Sequence, residues 1–143
     1  MAIDKLLTIE IVTPQQVEYT GRAESITVPG TEGPFQVLFN HAPIISSLEI
    51  GIIKIVDDLG DEKIFATGGG FVEVSHNKVS VIVESIEDPS NINIDRATEA
   101  LDRAEELLKT PGRGGNVEET RKAIARALNR IQVARKYASS RVI

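Results

Sequence analysis

The hydrophobic period of this 143-residue chain changes once along its length. Up to about Glu84, apolar and polar residues alternate, as they do in Leu7–Val12. Alternation of this kind is typical of half-buried β-strands. From Ile94 onward, apolar residues recur every three or four positions, which is the period of an amphipathic helix. The order of the two patterns predicts a β-domain followed by helices.

The β-region contains short apolar runs separated by turn-forming residues such as Thr20-Gly21 and His76-Asn77. After the first run, the predicted strands cover residues 16–19, 23–28, 35–39, 44–50, 52–56, 62–66, 71–75 and 79–83. Strands at this spacing, with no helical pattern between them, predict an antiparallel β-sandwich or flattened barrel. The phenylalanines lie on these strands and are expected in the core: Phe35, Phe39, Phe65 and Phe71.

Two helices are predicted after Glu87-Asp88-Pro89. Asn93 is a suitable N-cap for the first helix, and Asn116 with Glu119 three residues later forms a capping box for the second. The glycine-rich stretch 110–115 separates them. The apolar stripes comprise Ile94, Ala97, Leu101, Ala104 and Leu108, then Ile124, Ala127, Leu128, Ile131 and Ala134. We therefore predict a β-sandwich over residues 1–87 and an antiparallel helical hairpin over residues 88–143.

The contact stripe of this hairpin is rich in alanine, at Ala97, Ala100, Ala104, Ala127 and Ala134. A buried leucine contributes roughly 1.5–3 kcal/mol, and alanine has far less apolar area to bury. The helices are therefore expected to pack closely but weakly. A free-energy difference of about 1–3 kcal/mol between folded-back and extended arrangements is within reach of a ligand or a partner contact.

Composition excludes several classes of protein. The chain has no cysteine, which excludes disulfide frameworks, thiolate nucleophiles and iron–sulfur ligation. The N-terminus lacks the basic and apolar regions of a secretory signal, and no apolar run approaches the roughly 18 residues of a membrane span. The expected location is therefore the cytoplasm.

Charge is distributed unevenly. From Pro111 onward there are eight basic and two acidic residues, a net charge of +6, whereas the first 110 residues hold eight basic and 19 acidic residues, a net charge of −11. A basic tail on an acidic body indicates an anionic partner, and the alternative is a solvated charged face. Nucleic acid is not a predicted partner, because no aromatic platform is flanked by basic residues.

No motif indicates catalysis or a metal centre. Gly68-Gly69-Gly70 is followed by a predicted strand rather than by the lysine and helix of a phosphate-binding loop, so a turn or bulge is expected. His41 and His76 lie in different turns without metal-ligand spacing. The serines do not lie in a GxSxG pattern. We therefore predict no catalytic residues and no metal ligands.

Several segments together resemble the epsilon subunit of bacterial F-type ATP synthase. The resemblance follows the family's order over almost the whole chain, including the sandwich and then the helix pair. Its segments are Ile11-Val12-Thr13-Pro14, Val28-Pro29-Gly30-Thr31-Glu32-Gly33, Val37-Leu38-Phe39-Asn40-His41-Ala42-Pro43 and Gly69-Gly70-Phe71-Val72-Glu73-Val74. The resemblance implies a non-catalytic rotor subunit that bridges the gamma subunit and the c-ring. It implies a position at the cytoplasmic face of the bacterial inner membrane, peripheral and not inserted.

In this family the turn region that matches residues 29–43 faces the c-ring. The residues predicted to lie on that side are Glu32, Pro34 and His41. Pro34 replaces a common acidic residue, Gln36 a usual glycine and Phe39 a usual proline. Docking at this surface is expected, and the departures leave open which side chains make it.

The family's helix pair extends toward the catalytic alpha and beta subunits and blocks ATP hydrolysis. By resemblance, an acidic loop of the beta subunit is the anionic partner of the basic tail. The residues predicted to meet it are Arg121, Lys122, Arg135 and Lys136. The alternative function is a stand-alone adaptor with a protein-binding sandwich and an anion-binding hairpin.

Some bacterial relatives bind ATP through the motif I-D-x-x-R-A at the start of the first helix. Here Asn93 stands at the aspartate position, and Arg96 is retained. By resemblance the ATP-site residues are Glu87, Asn93, Arg96, Arg103, Arg126 and Arg130. No cofactor is required, and ATP is a candidate regulatory ligand.

The four arginines of that set have a physical reason to bind an anion. Converging guanidinium groups repel one another until an anion neutralises them, so ATP would favour the closed hairpin. The alternative is that these arginines are solvated or paired with neighbouring acids on the first helix. Those acids are Glu99, Asp102, Glu105 and Glu106.

Overall fold

The computed structural model describes residues 5–110 and 116–138. The chain divides into two compact units, Met1–Glu87 and Asp88–Ile143. The described part of the first unit is built of strands and that of the second of helices. The predicted β-sandwich followed by two helices is confirmed.

The strands of the first unit form one continuous sheet. Its strand order is β4-β7-β8-β1-β2-β5-β6-β9, with β3 paired to β2. The strands are β1 (Leu7–Val12), β2 (Val17–Val28), β3 (Phe35–Leu38), β4 (Ile44–Leu48), β5 (Gly51–Asp57), β6 (Glu62–Thr67), β7 (Gly70–Ser75), β8 (Lys78–Val83) and β9 (Ile86–Glu87). An isolated bridge between Gly30 and Leu48 links the segment after β2 to β4. One pairing departs from the antiparallel expectation, because β1 and β8 come from different hairpins and run parallel.

The core lies between the layers of this sheet. In β1, Leu7, Ile9 and Ile11 are fully buried, whereas Thr8 between them is exposed. The same alternation continues in β8, where Val79 and Val81 are fully buried. The period of two in the sequence therefore predicts which side chains face inward.

Two local expectations in the β-region were wrong. Thr20-Gly21 does not end a strand, because Thr20 pairs with Glu10 of β1 and the ladder continues through the glycine into the rest of β2. Long-range pairing here outweighs the local turn preference. Phe71 is 58% exposed, and Phe39 lies in the turn after β3, so neither belongs to the core. Phe35 and Phe65 are partly buried and pack against it.

The predicted triple-glycine turn is confirmed between β6 and β7. Gly69 has a positive φ of 94°. A Cβ at Gly70 would overlap the carbonyl oxygen of Ile82 on the neighbouring strand. The close approach of the two backbones therefore requires glycine at position 70.

The second unit begins with a 3₁₀ turn, Pro89–Asn91, and continues with α1 (Ile94–Lys109), α2 (Val117–Val133) and a π-helical segment, Ala134–Ala138. The two helices pack against each other. The 3₁₀ turn, which precedes α1, contacts the π-helical segment, which follows α2, so the helices run antiparallel. The predicted link at 111–115 lies outside the described residues. Neither described helix is long and apolar enough to cross a bilayer.

The predicted N-caps of both helices are confirmed. The Asn93 side chain accepts a hydrogen bond from the backbone N–H of Arg96 at 3.0 Å. The Asn116 side chain accepts from Glu118 and Glu119 at 2.9 and 3.3 Å. The reciprocal half of the predicted capping box is not formed in the described structure, and the Glu119 carboxylate lies 4.0 Å from Lys122 instead.

The helix contact is made largely by small residues. Ala97, Ala104 and Ala127 are at most 5% exposed. Leu108 and Leu128, predicted on the stripes, are 38% and 41% exposed. Small residues let the helix axes approach closely, so the buried strip between the helices is narrow. The leucines at its edges therefore remain partly exposed to solvent.

Candidate functional site

The predicted c-ring side of the sandwich contains two turns, residues 30–33 between β2 and β3 and residues 38–41 between β3 and β4. We call these the docking turns, and the first of them is tied to β4. The backbone N–H of Gly33 donates to the carbonyl of Gly30 at 3.0 Å, which closes the first turn. Thr31 donates its backbone N–H to the Ser47 carbonyl at 3.1 Å, and the two hydroxyl oxygens are 2.8 Å apart. The side chains of Glu32 and Pro34 are exposed beside this turn.

His41 follows the second turn and is half-buried. Its backbone N–H donates to the Leu38 carbonyl at 3.0 Å, and its Nδ1 is 2.7 Å from the Ala42 carbonyl oxygen. The ring centroid lies 6.5 Å from that of Phe35, the neighbour of Pro34. The structure therefore places the His41 ring beside Phe35, the first residue of β3, with Ala42 exposed beyond the histidine.

The sandwich also exposes an apolar stripe on its outer face, which the sequence predictions missed. Phe71 of β7 pairs with Ile82 of β8, Ile82 with Val12 of β1, and Val12 with Val17 of β2. Ile45 of β4 lies on the same face, diagonal to Phe71. The exposed fractions are 73% for Ile45, 58% for Phe71, 55% for Ile82 and 53% for Val17. We call these four side chains, together with the half-buried Val12 between Ile82 and Val17, the outer stripe.

A signal for the outer stripe was present in the sequence. Val81-Ile82-Val83 and Ile11-Val12 place apolar residues in succession where strict alternation would put a polar one. Because successive side chains of a strand point to opposite faces, each such run makes both faces apolar. Contiguous exposed apolar surface of this kind marks interaction sites.

The predicted ATP-site residues belong to different elements. Glu87 is in β9, opposite Ala66 of β6. Arg96 and Arg103 are exposed on α1. Arg126 and Arg130 are half-buried on α2, which packs against α1.

Within the described residues, Asn93 and three of the four predicted arginines, Arg96, Arg103 and Arg126, form no ion pair or hydrogen bond with the neighbouring acids. The Asn93 side chain is occupied in capping the backbone of Arg96. Across residues 5–110 and 116–138, no ion pair joins Arg96, Arg103 or Arg126 to a carboxylate. Their guanidinium charges are therefore available to an anion.

One cavity lies against the end of α1 and has a volume of about 490 Å³. Arg103 lines it together with Glu106, Leu107 and Thr110. Of the predicted ATP-site residues, Arg103 alone is among these described lining residues. The cavity thus offers one cationic and one anionic group beside an apolar side chain.

The basic residues predicted to meet an acidic partner fall into two places. Arg121 and Lys122 are exposed in the first turns of α2, where Lys122 Nζ lies 4.0 Å from a Glu119 carboxylate oxygen. Arg135 and Lys136 are exposed on the π-helical segment, with Lys136 Nζ 5.3 Å from the Tyr137 ring centroid. The two places lie at opposite ends of α2 and its π-helical extension.

Titratable groups elsewhere have structural roles. Asp57 is 8% exposed, and one of its carboxylate oxygens accepts from the backbone N–H groups of Leu59 and Asp61, both at 2.9 Å. Burial, and then the carboxylates of Asp57 and Asp58, raise the pKa of the Tyr19 phenol. In the part of the chain that the structure describes, no three His, Cys, Asp or Glu residues are grouped to hold a metal ion.

Two family models match consecutive parts of the chain. Residues 6–89 match the β-sandwich domain of the ATP synthase delta/epsilon chain, and residues 90–135 match its long α-helix domain. The ATP synthase epsilon chain of Latilactobacillus sakei is 42% identical over 134 residues, covering 90% of this chain and 92% of the relative. That of Desulfitobacterium hafniense is 42% identical over 128 residues, covering 90% and 96%.

Two solved structures share the fold at 17% sequence identity. One is the Euglena gracilis mitochondrial ATP synthase, OSCP/F1/c-ring, with a TM-score of 0.77 over 87% of this chain and 79% of the matched chain. The other is the central stalk and c-ring of the Tetrahymena thermophila mitochondrial ATP synthase, with a TM-score of 0.61 over 90% and 96%. Both family models and the identity to curated relatives over nine-tenths of the sequence lead to one conclusion: the chain belongs to the ATP synthase epsilon-chain family.

Proposed function

We propose that this chain is a non-catalytic rotor subunit that joins the gamma subunit to the c-ring in a proton-translocating bacterial ATP synthase. The outer stripe carries this proposal, because a row of large apolar side chains across adjacent strands is costly to leave in water. Assembly holds the chain peripherally at the cytoplasmic face of the inner membrane.

A subunit that transmits torque needs two separate contacts. The docking turns, with Glu32, Pro34 and His41, offer one surface of mixed polarity, and hydrogen bonds from Thr31 to Ser47 fix the first of them to β4. The outer stripe offers a second, apolar surface formed by β-sheet side chains. We assign the turns to the c-ring and the outer stripe to the gamma subunit.

The assignment of the outer stripe is tested by replacing Phe71 and Ile82 with serine. A phenylalanine buries roughly 200 Å², so covering the 58% of Phe71 that is exposed is worth about 3 kcal/mol. The double variant should bind purified gamma subunit at least tenfold more weakly in a titration. Leu59→Ser is the matched control, because Leu59 is 81% exposed on the β5–β6 turn, away from the outer stripe. Equal binding by the double variant and the wild type would overturn the assignment.

The helix pair is proposed as a conditional brake on ATP hydrolysis. Its contact is made largely by alanines, with Ile131 as one of few large buried side chains, which supports easy separation of α1 from α2. Its exposed bases, Arg121, Lys122, Arg135 and Lys136, suit an acidic loop of the catalytic beta subunit when the helices extend. Deleting residues from Asp88 onward should raise ATPase activity in the assembled complex while leaving assembly intact. Unchanged activity would leave the chain with its coupling role alone.

ATP is proposed to stabilise the closed helix pair. The support is a set of three arginines on α1 and α2, Arg96, Arg103 and Arg126, that form no ion pair with a carboxylate among the described residues. Replacing Arg103 and Arg126 with alanine should weaken ATP binding at least tenfold by calorimetry at low salt. Replacing Arg121 and Lys122 with alanine changes the net charge equally and should leave binding within twofold. Absence of heat from the wild type with excess ATP would contradict the proposal.

A further inference from the structure

The second docking turn, residues 38–41, has a sequence that only partly fits its shape. Its backbone is closed by the Leu38 carbonyl and the His41 N–H, and Asn40 at the third position has a positive φ of 65°. A turn with this geometry favours proline at the second position and glycine or asparagine at the third. Phe39 and Asn40 occupy those positions here. Asn40 therefore suits the third position, whereas Phe39 lacks the fixed φ that proline would supply at the second.

Asn77 supplies that support from a distant turn. Its Oδ1 accepts from the backbone N–H of Asn40 at 2.6 Å, and its Nδ2 donates to the Asn40 Oδ1 at 3.1 Å. Asn77 itself lies in the β7–β8 turn with a φ of 63°, and its carbonyl accepts from the Thr8 N–H at 2.9 Å. The second docking turn is thereby tied through Asn77 to the start of β1.

We propose that Asn77 is a positioning residue for c-ring docking, acting through Asn40 on the turn that presents His41. This inference rests on the proposed function, since it assumes that the docking turns face the c-ring. Two hydrogen bonds from one side chain fix the turn before the partner arrives, so binding loses less conformational entropy. Neither asparagine touches the partner in this role.

Glycine substitutions distinguish the contributions of the Asn40 and Asn77 side chains to the turn. Glycine accepts a positive φ at both positions, so neither variant introduces backbone strain. Asn77→Gly removes both hydrogen bonds to Asn40. Asn40→Gly removes the side-chain bond but keeps the backbone N–H that Asn77 Oδ1 accepts. Asn77→Asp keeps that acceptor and serves as the conservative rescue.

The first measurement is hydrogen exchange at the Asn40 amide in the full-length chain. Loss of the bond to Asn77 should speed this exchange roughly three- to tenfold in Asn77→Gly. The rate in Asn40→Gly and in Asn77→Asp should stay within twofold of the wild type. Unchanged exchange in Asn77→Gly would overturn the inference, because the turn would then be held without Asn77.

The second measurement titrates the complex of this chain with gamma subunit onto immobilised c-ring. Asn77→Gly should bind roughly three- to tenfold more weakly than the wild type, with Asn77→Asp restoring most of the affinity. Its affinity for gamma alone should be unchanged, which a general loss of folding would not allow. If the wild type binds and Asn77→Gly binds equally well, the role of Asn77 is refuted and the docking surface stands. If the wild type itself does not bind, the docking surface and this role both fail.

Discussion

Replacing Ile131 with alanine tests whether the helix pair is held by few large side chains. Ile131 is 7% exposed on α2, in a unit whose other buried helix residues include Ala97, Ala104 and Ala127. The substitution removes three carbon atoms, worth about 2.4 kcal/mol of transfer free energy. Any cavity left behind adds to this cost. A loss of about 2.5 kcal/mol multiplies the ratio of open to closed hairpin roughly 70-fold.

Leu128, three residues earlier on α2, is the matched control. It is 41% exposed, so Leu128→Ala should cost about 1.4 kcal/mol, roughly a tenfold shift. Hydrogen exchange of the α2 backbone amides should therefore rise several-fold more in Ile131→Ala than in Leu128→Ala. The amides of β1 should be unaffected in both variants, because they belong to the other compact unit.

The same pair of variants connects stability to function. Under the proposed brake, a more open hairpin reaches the catalytic subunits more often, so the assembled complex should hydrolyse ATP more slowly with Ile131→Ala. Leu128→Ala should give a smaller decrease. Equal exchange in the two variants would refute the packing argument, whereas unequal exchange with equal hydrolysis would refute the brake alone.

Three further predictions concern single residues. The phenol of Tyr19 should titrate above its ordinary pKa of 10.0 in an ultraviolet absorbance titration, and titration at or below 10.0 would contradict this. Because ionisation of the phenol is disfavoured in the folded state, the free energy of unfolding should fall as pH rises through that range. Asn116→Ala should cost about 1 kcal/mol by removing the cap of α2, seen as faster exchange in its first turn. Gly70→Ala should destabilise the sandwich by at least about 2 kcal/mol in denaturant unfolding, because its Cβ overlaps the Ile82 carbonyl. Gly60→Ala is the control, with a positive φ but open space around it, and a similar loss there would refute the steric argument.

Local signals in the sequence identified most of the elements and the starts of both helices, but not every strand end, since Thr20-Gly21 lies inside β2. The period of two in Leu7–Val12 predicts the inward side chains of β1, and the asparagines at 93 and 116 predict the helix starts. These signals depend on residues within about one turn or a few strand positions of each other. The resemblance to the epsilon family also came from residues in their order along the chain, and the comparisons confirmed it.

The order of a β-domain and a helix pair could be predicted from the residues alone, because hydrophobic period and capping are local properties. Which surfaces remain free for partners depends on the folded arrangement. Val12, Ile82 and Phe71 become one stripe only when β1, β8 and β7 pair in register, and Asn40 meets Asn77 only when two turns 37 residues apart are folded together. Strand register and turn proximity depend on contacts between distant parts of the chain, and no local pattern specifies those contacts.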